Sequence, residues 1–180
     1  QLILVIIGAL IVIFFLIAAF LPSEKSLERS ITIHKPAEEI YSLITNFENY
    51  RKWNPWSRRE PEAKGTLSGK PGEIGHSWTW EGKKIGSGNL TIKELDPGRK
   101  VVSDLSFYRP RKMEATDLWK FEPLNENETR VTWGHVSVLG YPVSRYFGMM
   151  LDKMLGPDFE QGLKNLKELN KDLVTIYIKP

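Results

Sequence analysis

Residues 2–21 read LILVIIGALIVIFFLIAAFL, an apolar run with no polar side chain and with Gly8 as its one interruption. At ~1.5 Å per residue a helix of this length spans ~30 Å, the hydrocarbon thickness of a bilayer. A helix buried in a globular core would leave a polar face at helical spacing, and this run has none. A cleaved signal sequence is the competing reading. Its apolar core is usually only ~7–15 residues long, and Ala18-Ala19-Phe20 is a poor small-x-small cleavage site. The run therefore predicts a retained single-pass anchor over 2–21, in an inner or plasma membrane. On its C-terminal side Lys25 and Arg29 are interleaved with Glu24 and Glu28. Orientation follows Lys and Arg, and the expectation is a short N-terminal tail inside with the domain outside.

Every charged residue of the 180-residue chain lies beyond this run, as do all six Trp. The remainder is long enough for one ordinary domain and too aromatic to be disordered. Cysteine is absent, which excludes disulfides, zinc–thiolate sites, iron–sulfur clusters and thiol catalysis. The net charge of +3 is spread among alternating acids and bases, so the concentrated positive face of a nucleic-acid binder is missing. His34, His76 and His135 lack metal-ligand spacing. Residues 65–70 resemble a phosphate loop in composition only, and no Gly-x-Ser-x-Gly elbow occurs. No cofactor or metal is expected.

The pattern divides the chain into the anchor, a linker over 22–27, a domain over 28–173 and a tail over 174–180. Residues 27–34 alternate as a first strand, which Pro36 ends. Ile40, Leu43, Ile44 and Phe47 then recur at helical spacing, and YRKWNPW (50–56) reads as a short helical turn. Strand alternation follows over 74–81, 88–95, 100–108, 113–122 and 129–138, with 60–68 as one further candidate. Gly82, Asp96-Pro97-Gly98, Arg109-Pro110 and Asn125-Glu126-Asn127 supply the turns between them. Short connections imply an antiparallel meander. A helical stripe runs from Val143 through Leu155, is interrupted at Gly156-Pro157 with an expected kink or break, and resumes from Phe159 to Leu173. The tail VTIYIKP alternates like the start of another strand. An α+β fold follows: a curved antiparallel sheet of about six or seven strands, its apolar face covered by the long C-terminal helix. Where side chains do not fill the space between sheet and helix, a ligand cavity results.

This order resembles the START-related, birch-allergen-like helix-grip superfamily (SRPBCC), and more narrowly its polyketide cyclase/dehydrase-like branch. The resemblance rests on RSITIHKPAEEIYSLITNFENYRKWNPW (29–56), on Gly86-Ser87-Gly88 opening a strand, and on LGYPVSRYFGMMLDKMLGPDFEQGLKNLK (139–167). It implies a helix-grip fold with a hydrophobic cavity and no universal catalytic residue. The superfamily includes lipid carriers, aromatic cyclases, co-chaperone-like domains and oxygenase subunits, and some members carry an N-terminal membrane helix.

Alternation proposes the inward faces. Ile74, His76, Trp78 and Trp80 share one; Asp117, Trp119 and Phe121 another; Val131, Trp133 and His135 a third, with Leu90, Ile92, Leu105 and Phe107 beside them. Tyr146, Met150, Met154 and Phe159 of the helix would face them. The expected ligand-binding set is Trp78, Trp80, Phe107, Trp119, Trp133, Tyr146, Met150 and Met154, for a hydrophobic small molecule or lipid. His76, His135 and Asp117 are the candidates for acid–base chemistry if all three converge. Three functions stay open: a membrane-tethered binding domain, a cyclase or dehydratase using the same cavity, and a protein-interaction module with a filled core. Nothing in the sequence names a protein partner. Arg109, Arg111 and Lys112 at one hairpin tip are either solvated turn residues or contacts to anionic headgroups.

Overall fold

In the computed structural model, which describes residues 1–177, the apolar run forms one helix, α1 (Leu2–Phe20), exposed along nearly its whole length. Strand β1 (Glu24–Ile33) follows, so the pairing begins inside the expected linker. The reason is its partner strand: Glu24 lies opposite Val138 and Lys25 opposite Ser137, and ladder bonds hold residues whose side chains show no alternation.

Three short helices come next. Glu38 and Glu39 sit in the first turn of α2 (Ala37–Thr45), favourably placed against its helix dipole, and Ile40, Leu43 and Ile44 bury one face. Asn46 caps α3 (Phe47–Trp53) by accepting from the Glu48 N–H. Asn54 caps α4 (Pro55–Arg59), accepting from the N–H groups of Trp56 and Ser57, with Pro55 in the first turn. The YRKWNPW segment is thus two abutting helices joined at an Asn-Pro cap.

Six strands complete the sheet: β2 (Lys64–Ser68), β3 (Ser77–Glu81), β4 (Ser87–Asp96), β5 (Lys100–Arg109), β6 (Met113–Asn125) and β7 (Glu128–Val138). The spatial order is β1-β7-β6-β5-β4-β3-β2, antiparallel throughout. Helices α2–α4 therefore carry the chain from one edge to the other, and the meander returns it to β1. Register shifts at Ser87/Gly88, Ile92/Glu94 and Pro123/Asn125 bend the strands. At the first of these, Gly86 has φ of +69° and Gly88 lies where a Cβ would strike Trp80 and the Ser106 carbonyl, which explains the Gly-Ser-Gly sequence.

The C-terminal region divides differently from expectation. A short α5 (Val143–Gly148) ends before Met149-Met150, and α6 (Leu151–Tyr177) passes through Gly156-Pro157 without interruption. Pro157 removes one helix bond, but Arg29 of β1 spans the site from outside, bonding Asp152 at 2.8 Å and Glu160 at 2.9 Å. Gly156 leaves the room this guanidinium needs. Residues up to Tyr177 of the expected tail strand belong to α6, and 178–180 lie outside the described residues.

The inner face of the sheet, α2–α3 and α6 share one core, in which Trp53, Trp119, Trp133, Phe159, Leu163 and Leu166 are almost wholly buried. The sheet's two ends differ. Glu24, Ser87, Arg109, Met113 and Val138 place α1, α5 and the β3–β4 and β5–β6 turns at one end. The β2–β3, β4–β5 and β6–β7 turns lie at the other.

Candidate functional site

Cross-strand register assembles the site. Asp117 of β6 lies opposite His135 of β7, and Trp119 lies opposite Trp133, all pointing inward. The His135 Nδ1–H donates to Asp117 Oδ1 at 3.2 Å, and the Trp133 indole N–H donates to Asp117 Oδ2 at 3.3 Å. His135 Nε2 shares a 2.7 Å hydrogen bond with the hydroxyl of Ser137, two residues along the same face. A buried carboxylate here has both oxygens engaged, as burial of charge requires.

Above this network is an interior cavity of about 220 Å³. Trp78, Trp80, Leu90, Leu105, Phe107 and Phe159 supply apolar walls, and Tyr50, Asn54, Asp117 and His135 supply polar atoms. Trp56, Ile85, Met113 and Leu155 complete the lining, so the cavity lies toward the end of the sheet that carries α5. Two larger depressions, about 360 and 830 Å³, are open surface clefts lined by charged residues around Glu60. The interior cavity is smaller but has the most strongly apolar lining of the three, as ligand sites do. Burial pushes the Tyr50 hydroxyl well above its ordinary pKa, and the Asp117 charge adds to this. Tyr50 therefore stays a neutral donor beside the cavity.

The expected site residues, His76 apart, separate into three groups. Trp78, Trp80, Phe107, Asp117 and His135 line the cavity. Trp119 and Trp133 lie beneath it, stacked on one another at 4.6 Å, with Trp133 also stacked on Phe159 at 4.1 Å. Tyr146, Met150 and Met154 lie away from it: Tyr146 belongs to α5, which the break at Met149-Met150 separates from the helix facing the sheet, Met150 lies at that break, and Met154 is on the outer face of the first turn of α6. Tyr146 instead stacks on Phe14 of α1 at 4.7 Å, and Met150 and Met154 are exposed.

His76 does not join Asp117 and His135. Its Nδ1–H donates to the Ser68 carbonyl at 2.9 Å, and its Nε2 accepts from the Phe47 N–H at 3.2 Å. Both ring nitrogens are spent on backbone, so His76 pins α3 to the β2–β3 turn. Sequence reasoning missed Tyr50, Asn54 and Trp56, although YRKWNPW contains all three. It also missed Ser137, whose place two residues from His135 on an alternating strand put it on the same face. Ser137 is fully buried behind His135 and is not among the residues lining the cavity. Among the described residues no acidic or histidine cluster suits a metal ion.

Glu60 fixes one wall. Its carboxylate accepts from the N–H groups of Lys83, Lys84 and Ile85 at 2.8, 2.8 and 3.0 Å, holding the β3–β4 turn and Ile85 in place. Burial alone would raise its pKa, but the three backbone donors outweigh that and hold it below the ordinary value of 4.5. A carboxyl depressed on folding contributes stability above its unfolded pKa and loses it as pH falls through the folded value. Thermal midpoints of the wild type and Glu60→Gln should therefore differ near neutrality and converge as pH falls below 4.5. Parallel curves across that range would show that the carboxylate does not hold this turn.

Residues 24–170 match the model of the family described as polyketide cyclase/dehydrase and lipid transport. No curated protein matches the chain. Among solved structures, a protein of Thermobifida fusca is 19% identical over 82% of this chain and 94% of its own, with a TM-score of 0.63. A protein of Chromobacterium violaceum is 14% identical over 81% of this chain and 96% of its own, with a TM-score of 0.60. The di-domain ARO/CYC protein StfQ of the steffimycin biosynthetic pathway is 13% identical over 84% of this chain and 52% of its own, with a TM-score of 0.62. At these identities the likeness is one of fold, the helix-grip fold that the sheet and α6 display. The match over most of its length makes this chain a member of the polyketide cyclase/dehydrase and lipid transport family.

Proposed function

We propose that the protein is a membrane-tethered domain that holds a hydrophobic small molecule or lipid in the interior cavity. The observation that carries this reading is the cavity itself: apolar on most sides, with Tyr50, Asn54, Asp117 and His135 at hand for one polar group. Its volume of about 220 Å³ suits a single acyl segment or a small ring system, not both chains of a phospholipid. The tether is α1, retained as a single span of an inner or plasma membrane. Against removal as a signal sequence stand its bonds to the domain: Tyr141 donates to the Phe15 carbonyl and Tyr146 to the Phe14 carbonyl. Arg145 donates to the carbonyls of Ala18, Ala19 and Leu21.

The second reading, a cyclase or dehydratase, is favoured by Asp117 and His135 reaching the cavity wall. It is weakened by their engagement with each other, with Trp133 and with Ser137. An interaction module with a filled core fits less well, because the interior is not filled.

The test is native mass spectrometry on the domain from Glu24 onward, a unit that the similar solved proteins match over nearly their full length. A discrete adduct released by denaturation is expected, and its mass gives the ligand class. Leu105→Trp, which fills the cavity from β5, should lower affinity for that ligand by about tenfold or more, because the indole takes the volume the ligand would occupy. An apo mass, together with Trp fluorescence indifferent to fatty acids and polyaromatic compounds, would overturn the proposal.

A further inference from the structure

The exposed apolar surface of the domain is concentrated where α1 meets it. Val143 and Phe147 of α5, Met149 and Met150 at the break, and Met154 at the start of α6 are all exposed, Met149 by 70%. Beside them stands the β5–β6 turn, whose Arg111 guanidinium lies over the Phe147 ring at 5.5 Å, with Lys112 and Lys153 exposed nearby in the chain. An apolar face edged by cations and flanked by tyrosines is the composition of a surface that sits in the headgroup layer of a membrane.

The contacts to α1 set the depth. Tyr146 bonds the Phe14 carbonyl, six residues before the helix end at Phe20, which at ~1.5 Å per residue is ~9 Å along the axis. Helix α5 is thereby held beside the last two turns of α1, not beyond its end. Arg145 meanwhile satisfies the terminal carbonyls that α1 would otherwise present without donors. If α1 spans a bilayer, α5 cannot stand clear of it. The cavity is adjacent: Phe107 and Met113 at the base of the β5–β6 turn, and Leu155 one turn into α6, belong to its lining.

We infer that α5, the Met149-Met150 break and the β5–β6 turn form a lip inserted in an anionic leaflet, through which the ligand passes from the bilayer to the cavity without crossing water. The inference rests on the reading of α1 as a membrane span. Since the chain has no cysteine, single labels report cleanly. Met149→Cys and Ile74→Cys, the latter an exposed site at the opposite end of the sheet, carry an environment-sensitive fluorophore in the full chain, reconstituted into phosphatidylcholine vesicles with phosphatidylglycerol. A nitroxide at a shallow acyl position should quench the Met149 label by about half or more and leave the Ile74 label bright, as burial at the acyl boundary demands. Arg111→Glu with Lys112→Glu should reduce that quenching.

A chain that floats with vesicles while both labels stay bright overturns the lip and leaves the span intact. A chain that does not float overturns both. A Met149 label untouched by lipid quencher but self-quenched as protein density rises assigns the face to a second copy, and overturns the lip. For the route, Phe147→Asp with Met149→Asp should slow uptake of a pyrene-labelled fatty acid from vesicles at least several-fold, while its affinity when added from water is unchanged. Equal rates from vesicles for the wild type and this variant overturn the route, and absence of binding from water in both overturns the cavity reading instead.

Discussion

Trp133→Ala is expected to remove about 3–5 kcal/mol of stability, a large share of the ~5–15 kcal/mol typical of a domain. Trp133 is completely buried and touches aromatic rings from the sheet and from three helices. Its indole stacks on Trp119 of β6 and Phe159 of α6, and meets the edges of Trp53 of α3 and Trp56 of α4 at 5.9 and 5.8 Å. Truncation leaves a cavity that these rigid rings cannot collapse to fill, and takes a donor from the Asp117 carboxylate. Trp80→Ala is the control. Trp80 already borders the ligand cavity, so its loss enlarges an existing void and should cost less. Denaturant unfolding followed by circular dichroism measures both. A Trp133→Ala loss no greater than that of Trp80→Ala would show that the stack is not what joins helix to sheet.

The same stack shows what the sequence made legible. Trp119, Trp133 and Asp117 alternate on strands bounded by strong turn signals, and their inward direction follows from strand periodicity alone. Register does not. That Trp119 lies opposite Trp133, and Asp117 opposite His135, depends on the length of the β6–β7 turn and the shift at Pro123/Asn125, which alternation does not encode. For the same reason alternation placed His76 and His135 on inward faces without revealing that one pins backbone and the other meets a carboxylate.

The helices failed in a different way. Val143 to Leu155 reads as one amphipathic stripe, yet it divides between a helix packed on α1 and one packed on the sheet. Periodicity reports that a face is apolar but not what covers it. Two apolar partners, the sheet and α1, competed for this segment, and α1 took Tyr146. At Pro157 the break, one of the two expectations, does not form, and Arg29, 128 residues earlier in the chain, ties the helix on both sides of the proline. Likewise β1 starts inside the linker because ladder pairing needs no side-chain pattern.

The pair Asp117→Ala and Asp117→Asn should have very different effects, and the difference separates binding from catalysis. Alanine strands two buried donors, the His135 Nδ1–H and the Trp133 indole N–H, and should cost about 2–6 kcal/mol, at ~1–3 kcal/mol for each buried donor left unpaired. Asparagine can satisfy the whole chain. Its carbonyl oxygen accepts from Trp133, its amide donates to His135 Nδ1, the imidazole moves its proton to Nε2, and that N–H donates to Ser137, whose hydroxyl is free to reverse. The cost should then be about 1 kcal/mol or less, because no buried group is left unpaired. Nitrogen chemical shifts of His135 would report the tautomer directly, and an unchanged tautomer in Asp117→Asn would refute this account of the network. A binding domain with the reversed tautomer keeps its ligand affinity within a few-fold, since the apolar walls are untouched and Tyr50 and Asn54 remain for the ligand's polar group. An enzyme that used His135 as a base would bind as before and turn over slower by orders of magnitude, its basic nitrogen now facing the asparagine amide. The same variant, assayed for adduct retention and for chemical change of the bound molecule, decides between the two readings of this cavity.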